Sequence, residues 1–207
     1  MIKQYSYAMP SPTKADLRTQ FAAYRQGLSE TDYARRSTAI IARAKTLNEL
    51  NAATCVHVYW PLVQRHEVDT RPLIAWLYEA GKQIVLPVVD SFDKKVLSTP
   101  RLRHIRYDPS ISLTTNRWGI HEPDGGTGVP VEDIDAVVVP TLGAGRNGHR
   151  IGHGFGYYDE LLADVRGPAI GLVYAACLVD AVPAEVHDRP LSVILTEDEV
   201  IRPAVTS

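Results

Sequence analysis

Short apolar segments alternate with amphipathic helical segments along most of this chain of 207 residues. Residues 54–60, 83–88, 135–139 and 169–174 have the length and apolar composition of buried strands. Helical segments between consecutive strands are typical of a parallel sheet, because a parallel connection needs a long crossover. The pattern predicts an α/β fold with a mostly parallel sheet flanked by helices, whose ligands bind at the carboxyl ends of the strands. Residues 193–196 predict an additional edge strand.

Capping signals and apolar periodicity predict the helices. Thr13 followed by Asp16 predicts a helix start, and Ser29 begins a second helix that we expect to run to about Leu50. The apolar stripe of the first helix consists of Leu17, Phe21, Tyr24 and Leu28. Two further helices are predicted, over residues 70–81 and 157–164. The stretch 90–132 is rich in proline and glycine and predicts a short antiparallel excursion with loops.

Composition limits the class of protein. Apolar residues make up 45% and charged residues 22% of the chain, as in an ordinary globular protein, and we expect one domain over residues 1–207. The net charge of -2 gives no overall attraction for nucleic acid. No apolar stretch has the length of a membrane span or, in residues 1–13, of a signal peptide. We therefore predict a cytoplasmic protein that binds neither nucleic acid nor membrane. Separately, we expect a monomer or weak homo-oligomer. Cys55 and Cys177 are predicted to be buried thiols.

The segment 140–159 is the most unusual part of the sequence. Its six glycines follow an apolar strand, so the backbone could approach a ligand closely and point N–H groups at an anion. Arg146 and Arg150 add positive charge, and the segment leads into a helix N-terminus, which favours phosphate. The alternative is a flexible surface loop.

Known nucleotide motifs do not account for this segment. Gly143, Gly145 and Gly148 match the dinucleotide pattern, but further glycines follow where the helix should begin, and the next predicted strand ends at Tyr174 rather than at an acidic residue. We interpret the match as coincidental. The sequence has no Gly-Lys-Ser/Thr phosphate loop and no His-Glu-x-x-His zinc motif.

The stretch from Arg150 to Asp159, Arg-Ile-Gly-His-Gly-Phe-Gly-Tyr-Tyr-Asp, resembles the signature of the 5-formyltetrahydrofolate cyclo-ligase family. Other blocks similar to that family occur in the same order over residues 14–188. They are Lys14-x-x-Leu17-Arg18, Tyr59-x-Pro61, Glu67-Val68-Asp69-Thr70, Gly81-Lys82, Leu86-Pro87, Trp118-Gly119-Ile120-x-Glu122-Pro123 and Pro183-x-Glu185-x-His187-Asp188. The chain departs from the family at Ala144-Gly145, where Phe-Asp is frequent, and at Phe155, where glycine or lysine is frequent.

The resemblance implies a three-layer, Rossmann-like fold similar to the NagB/RpiA/CoA transferase fold. It also implies a reaction in which ATP and Mg²⁺ convert 5-formyltetrahydrofolate into 5,10-methenyltetrahydrofolate, with release of ADP and phosphate. A formamide oxygen is a poor leaving group, so the expected route phosphorylates it before N10 attacks. Phosphoryl transfer depends on positioning and charge neutralisation, which requires cations and backbone donors rather than a protein nucleophile.

Lys14 and Arg18 are one helical turn apart, so both can project from one helix face toward phosphates. The alternative for such a pair is a solvated helix face. With the family resemblance we expect Lys14 and Arg150 to be catalytic. The predicted ATP site consists of Lys14, Arg18, Arg150, Ile151, Gly152, His153, Gly154, Phe155, Gly156, Tyr157 and Tyr158.

By resemblance, Asp159 and Asp188 are the candidate Mg²⁺ ligands, although either could instead cap a helix or join a salt bridge. Glu67 is expected to hydrogen-bond the folate, and Leu62, Trp118 and Tyr158 are expected to contact its flat ring. Trp118 could equally belong to the core.

Three other functions stay open. The chain could be an ATP-dependent enzyme of the same fold with another substrate, because fold does not fix function. It could be a catalytically silent nucleotide-binding homologue, although such a protein would be expected to lose Lys14, Arg150 or Asp159. It could be a sugar-phosphate isomerase on a similar sheet, which would need no ATP.

Overall fold

A seven-stranded sheet forms the centre of the structure, a computed structural model that describes residues 11–89 and 101–204. Its helices are α1 (Lys14–Gln26), α2 (Glu30–Ala44), α3 (Asn48–Ala52), α4 (Arg71–Glu79) and α5 (Tyr157–Asp164), with short 3-10 helices at Val63–Arg65, Val131–Asp133 and Ala175–Cys177. The strands are β1 (Cys55–His57), β2 (Gln83–Val89), β3 (Leu102–Tyr107), β4 (Leu113–Thr115), β5 (His121–Pro123), β6 (Ala136–Val139), β7 (Gly143–Gly145), β8 (Arg150–Ile151), β9 (Ala169–Leu172), β10 (Leu178–Val179), β11 (Val193–Leu195) and β12 (Val200–Ile201).

The strand order of the main sheet is β12-β11-β9-β6-β1-β2-β3. The five central strands are parallel, and β12 and β3 pair antiparallel at the two edges. The predicted mostly parallel sheet is therefore confirmed. Numbered along the chain, the parallel strands have the order 2-1-3-4-5, which reverses direction between β1 and β6. Ligands of such sheets bind outside the carboxyl ends of the strands at this reversal.

Helices lie on both faces of this sheet. The connections from β1 to β2 and from β6 to β9 run in opposite directions across it. Because parallel crossovers are right-handed, α4 in the first connection and α5 in the second must cover opposite faces. Helix α2 packs against α4 and β11. The predicted three-layer arrangement follows.

The helix starts agree with the sequence, but one helix end does not. Thr13 and Asp16 form a reciprocal capping box at α1, and the Ser29 side chain caps α2. The prediction that α2 runs to about Leu50 is wrong, because the helix ends at Ala44. There the N–H of Leu47 donates to the Ala44 carbonyl in a tight turn that buries Leu47, and α3 follows.

The predicted edge strand at residues 193–196 is also corrected. Strand β11 lies inside the sheet, because the chain folds back and β12 pairs with its outer side. The Thr196 hydroxyl stabilises this turn by accepting hydrogen bonds from the N–H groups of Asp198 and Glu199. Strand β3 and the β4–β5 hairpin form the predicted antiparallel excursion, of which residues 90–100 lie outside the described part.

The core consists mainly of aliphatic side chains of the parallel strands and the helix faces packed on them. Cys55 and Cys177 are buried there as free thiols, as predicted, and burial raises the pKa of Cys177 to about 12. Across residues 11–89 and 101–204, no helix combines the length and the hydropathy needed to cross a membrane.

Candidate active site

A cavity of about 540 Å³ opens where β1, β2 and β6 end. All the predicted site residues except Ile151 line it. They are Lys14, Arg18, Leu62, Glu67, Trp118, Arg150, Gly152, His153, Gly154, Phe155, Gly156, Tyr157, Tyr158, Asp159 and Asp188. The Ile151 side chain is fully buried in the core, and its carbonyl accepts the N–H of Leu142. Any contact of Ile151 with a ligand would have to come through the backbone.

The first half of the glycine-rich segment is a β-hairpin. Strands β7 and β8 pair antiparallel, and the N–H of Gly145 donates to the His149 carbonyl. This explains why the dinucleotide-like spacing carries no such function, since no helix begins there. A Cβ atom at Gly143 would lie 2.3 Å from the Phe21 ring. Glycine at this position therefore lets α1 pack on the hairpin, which brings Lys14 and Arg18 to the cavity.

The departure from the family at Ala144-Gly145 lies outside the cavity wall. A Cβ atom at Gly145 would be 2.3 Å from Oδ1 of Asn147, so no side chain fits there in this fold. Asn147 fills the space and makes two hydrogen bonds with the backbone of Val182, donating at 3.0 Å and accepting at 3.2 Å. Ala144 and Gly145 therefore belong to the packing of the hairpin and contribute no side chain to the cavity lining.

Arg146 does not contribute the positive charge that the sequence suggested. Its guanidinium pairs with Glu199 at 2.5 Å and does not line the cavity. The reason is the hairpin itself, whose turn carries Arg146 away from the end where Arg150 lies.

We call the part of the cavity formed by Lys14, Arg18 and residues 150–159 the glycine-loop end. Each of its cations already has an acceptor. Lys14 Nζ lies 2.5 Å from Asp188 and 3.3 Å from Glu185, and Arg18 Nε donates to the Gly152 carbonyl at 3.0 Å. Arg150 donates to Asp159 at 2.8 Å and to the Arg189 carbonyl at 2.6 Å. The second half of the segment reaches α5 through Gly156, whose φ of 80° is one that glycine adopts without strain.

Asp159 and Asp188 lie on the same wall. The N–H of Arg189, the residue after Asp188, donates to Oδ1 of Asp159 at 3.1 Å. Burial opposes ionisation of Asp188, but the hydrogen bonds from Lys14 and from the N–H of Glu185 outweigh it and hold its pKa below the usual range. Within the described residues, one oxygen of each carboxylate, Oδ2 of Asp159 and Oδ1 of Asp188, has no hydrogen-bond partner.

These two carboxylates suit Mg²⁺, which takes one or two protein carboxylates and completes its shell with waters and phosphate oxygens. A dedicated protein cage is a different arrangement, and residues 11–89 and 101–204 contain no cluster of three or more His, Cys, Asp or Glu able to hold a metal ion. The donor set therefore fits a metal that arrives with a phosphate ligand.

Glu67 connects the glycine loop to the rest of the cavity. Its Oε2 accepts the N–H of Leu62 at 2.9 Å, and its Oε1 lies 3.4 Å from Nε2 of His153 and 3.7 Å from the buried guanidinium of Arg25. Burial alone would raise the pKa of Glu67, but the contacts with His153, Arg25 and Leu62 keep it below its usual value. Glu67 is thus an ionised hydrogen-bond acceptor in a largely dry wall.

We call the region formed by Trp60, Leu62, Arg65, Arg117 and Trp118 the tryptophan end. Trp118 is 36% exposed and lines the cavity, so it does not belong to the core. Leu62 lies beside the β4–β5 turn, since its Cδ2 would be 3.9 Å from a Cβ at Gly119. Apolar and aromatic surface dominates this end, which suits a flat ring.

Tyr158 lies on the wall near the floor of the cavity. Its ring meets His57 edge to face at 5.8 Å between centroids, and burial raises the pKa of its hydroxyl. That hydroxyl is buried and has no hydrogen-bond partner in the described residues. The ring, rather than the hydroxyl, is the part of Tyr158 that lines the cavity.

Sequence reasoning missed several lining residues, among them Trp60, Arg65 and Arg189. Trp60 could have been found, because it directly follows β1 and the carboxyl ends of the strands were expected to form the site. Arg65 and Arg189 carry no comparable signal in the sequence.

Fold and cavity together are those of an α/β enzyme, with cations and a glycine-rich backbone at one end of a strand-end cavity and apolar and aromatic side chains at the other. The family model described as the 5-formyltetrahydrofolate cyclo-ligase family matches residues 10–197. The chain belongs to this family.

Individual relatives agree with that assignment. A 5-formyltetrahydrofolate cyclo-ligase of Escherichia coli (strain K12) is 33% identical over 164 residues, which cover 72% of this chain and 87% of that protein. The NMR structure of Aquifex aeolicus 5,10-methenyltetrahydrofolate synthetase is 32% identical, with a TM-score of 0.77 and coverage of 91% of this chain and 92% of that one. The Mycoplasma pneumoniae 5,10-methenyltetrahydrofolate synthetase, 22% identical with a TM-score of 0.70, covers 89% of this chain and 98% of its own and shares the fold.

Proposed function

We propose that this chain converts 5-formyltetrahydrofolate into 5,10-methenyltetrahydrofolate, consuming ATP to ADP and phosphate with Mg²⁺. The observation that carries the proposal is that the glycine-loop end and the tryptophan end belong to one cavity and meet at the contact between His153 and Glu67. A phosphoryl group bound at the first end would therefore lie next to a folate bound at the second.

In this proposal Lys14, Arg18 and Arg150 bind the phosphates of ATP, together with the backbone from Gly152 to Tyr158. Phosphate is a strong acceptor for such charge-assisted hydrogen bonds. Lys14 and Arg150 would also stabilise the charge that moves during phosphoryl transfer, which makes them the catalytic cations. Phe155, 62% exposed beside the cavity, offers an aromatic surface to the nucleotide.

Asp159 and Asp188 would hold Mg²⁺, which when bound neutralises phosphate charge. Both carboxylates now accept hydrogen bonds from the cations that would bind ATP, Arg150 and Lys14. The proposal therefore requires an exchange of partners, in which Lys14 moves from Asp188 to a phosphate oxygen.

The folate would lie with its ring against Leu62, Trp118 and Tyr158, with an N–H group donating to Glu67. In the first step the formyl oxygen takes the terminal phosphoryl group of ATP, and ADP leaves. N10 then attacks the formyl carbon with its electron pair, and the C–O bond breaks as phosphate departs. The new N10–C bond closes the five-membered ring, and the N10 proton passes to solvent. Glu67, as an ionised acceptor, would keep N10 oriented toward that carbon.

The test is the absorbance of the methenyl product when purified protein meets 5-formyltetrahydrofolate, with and without ATP and Mg²⁺. Product that requires both supports the proposal. Conversion without ATP would contradict it. No product despite ATP binding would favour an enzyme of the same fold with another substrate, and neither product nor ATP binding would favour a silent homologue.

We further propose that the chain acts as one domain over residues 1–207, in the cytoplasm, with small molecules as its partners. The match of a single family model to residues 10–197 and the continuous sheet support the single domain. The preference for a monomer or weak homo-oligomer stays a prediction.

A further inference from the structure

Two arginines at the tryptophan end have no acidic partner within residues 11–89 and 101–204. Arg65 and Arg117 are both exposed, and neither forms an ion pair or side-chain hydrogen bond with the described residues. This differs from the glycine-loop end, where Lys14 and Arg150 are each paired with carboxylates. Free guanidinium groups beside an apolar cavity can bind an anion without first releasing a protein partner.

The backbone of Arg65 is held firmly although its side chain is free. It ends a 3-10 turn, and the buried Arg25 donates from Nε to the carbonyls of Arg65 and His66 at 3.2 and 3.1 Å. Nδ1 of His66 in turn lies 2.7 Å from the Arg25 carbonyl. These contacts fix the place from which the Arg65 side chain reaches the cavity that it lines.

Arg117 is held by a ring contact. Its guanidinium carbon lies 4.1 Å from the ring centroid of Trp118, which itself lines the cavity. The turn that carries it touches the Arg65 turn, since Nε2 of Gln64 would lie 3.0 Å from a Cβ at Gly119. The two arginines thus belong to adjoining turns on one rim of the cavity mouth.

We propose that Arg65 and Arg117 bind the carboxylates of the glutamate tail of the folate substrate, an inference that rests on the proposed function. A folate whose ring lies on Leu62 and Trp118 carries its only anionic groups, the glutamate carboxylates, at the far end of the molecule. At the glycine-loop end, Lys14 and Arg150 are paired with carboxylates, Arg18 donates to the Gly152 carbonyl, and all three are assigned to ATP in the proposed function. The guanidinium groups of Arg65 and Arg117 lie on the rim beside the ring contacts and have the charge and the planar donor geometry that a carboxylate requires. Arg189 also lines the cavity, but its backbone N–H donates to Asp159 at the glycine-loop end.

The experiment compares the binding of two ligands, 5-formyltetrahydrofolate and the corresponding formyl-tetrahydropteroate that lacks the glutamate. Dissociation constants are measured by titration calorimetry for the wild type, Arg65→Ala, Arg117→Ala and Arg65→Lys. Arg166→Ala is the matched control, because this substitution removes the same charge at an exposed residue that lies outside the cavity.

We expect each alanine variant to weaken binding of the glutamate-bearing ligand by about tenfold, as loss of a charge-assisted hydrogen bond predicts. Binding of the pteroate should change by less than about twofold, because it lacks the carboxylates. Arg65→Lys should recover part of the lost affinity, since lysine keeps the positive charge but lacks the paired N–H donors of a planar guanidinium. Arg166→Ala should leave both constants unchanged.

Equal losses for both ligands, or no loss for either, would overturn the tail assignment while leaving turnover by the wild type intact. A wild type that binds both ligands equally tightly would overturn it as well. Failure of the proposed function looks different, because the wild type would then form no methenyl product even if the two ligands bind with the expected difference.

Discussion

Both ends of the cavity carry cations, but the cations differ in their partners. At the glycine-loop end, Lys14 and Arg150 sit in ion pairs whose side chains are mostly shielded from water. At the tryptophan end, Arg65 and Arg117 extend into solvent without an acidic partner among the described residues. A ligand at the first end must therefore replace protein carboxylates, whereas a ligand at the second end displaces only water.

This difference has an energetic consequence. A cation in a shielded pair that loses its partner without a replacement is strongly destabilised. Phosphate alone would satisfy Lys14 and Arg150 but leave Asp188 and Asp159 unpaired, whereas phosphate with a divalent cation satisfies all four groups. The glycine-loop end is therefore expected to select a metal-bound phosphate. The tryptophan end is expected to bind any ligand whose carboxylate extends to Arg65 and Arg117.

The largest effect expected is at Arg150. We predict that Arg150→Ala lowers kcat/KM for ATP by about 10- to 100-fold, because a charge-assisted phosphate contact is lost and Asp159 is left without its partner. Initial rates over a range of ATP concentrations measure this. Lys14→Ala is expected to cost at least about tenfold for the same reason.

Arg146→Ala is the matched control for Arg150, because both arginines belong to the same hairpin but Arg146 pairs with Glu199 outside the cavity. Its kcat/KM should stay within about twofold of the wild type. Equal losses in the two variants would mean that the hairpin, and not the cavity-facing guanidinium, matters for ATP.

A smaller and more specific effect is expected at Asp188. In Asp188→Asn the main partner of Lys14 loses its charge, so ATP without metal should bind several-fold more tightly. With Mg²⁺ present, ATP should bind about tenfold more weakly, because one carboxylate ligand is gone. Calorimetric titrations with Mg²⁺ and with a chelator measure the two constants.

Asp164→Asn is a suitable control, since Asp164 is exposed at the C-terminal end of α5, whereas Asp159 lies in the first turn of that helix. If Asp188→Asn weakened ATP binding equally with and without metal, the exchange of partners would be refuted, and the contrast between the two ends of the cavity would lose its basis.

The same contrast separates what the sequence could reveal from what it could not. The glycine-loop end was predictable because its residues lie in one segment and in one helical turn, Lys14 to Arg18. The tryptophan end depends on contacts between distant segments, such as Gln64 with Gly119 and Arg25 with the carbonyls of residues 65 and 66. Nothing local in the stretch around Arg65 indicates those contacts.

The fold shows a similar division. Strand positions followed from apolar runs, and the α1 capping box followed from Thr13 and Asp16. The end of α2 and the interior position of β11 did not, because they depend on the tertiary burial of Leu47 and on the Thr196 turn that returns β12 to the sheet. His57 was predicted only as part of a strand, and its surroundings could not be inferred.

The residues around His57 connect the two ends of the cavity. His57 lies on β1, which leads to the tryptophan end, and its ring faces Tyr158 of the glycine-loop end and, at 5.4 Å, His104 of β3. It is fully buried, and neither ring nitrogen has a hydrogen-bond partner among the described residues. Burial, with a smaller contribution from His104, lowers the pKa of His57 to about 3.

The smallest effect that we predict concerns stability rather than catalysis. Above about pH 6.5 His57 is neutral in both the folded and the unfolded chain, so it adds no pH dependence. Below that pH the unfolded chain takes up a proton that the folded chain refuses until about pH 3, so the free energy of unfolding falls by on the order of 1 kcal/mol per pH unit. Urea unfolding at pH 7 and pH 5 measures this slope.

His57→Leu should remove this share of the acid sensitivity while leaving stability at pH 7 unchanged or slightly higher, because it replaces unpartnered polar atoms by an apolar group. His187→Leu, at an exposed histidine, should keep the wild-type slope. Because His57 supports both ends through β1 and Tyr158, ATP binding and folate binding should be lost together as the pH falls. If His57→Leu kept the full acid sensitivity, His57 would not be its source. If ATP binding were lost at a clearly higher pH than folate binding, or the reverse, the two ends of the cavity would not depend together on His57.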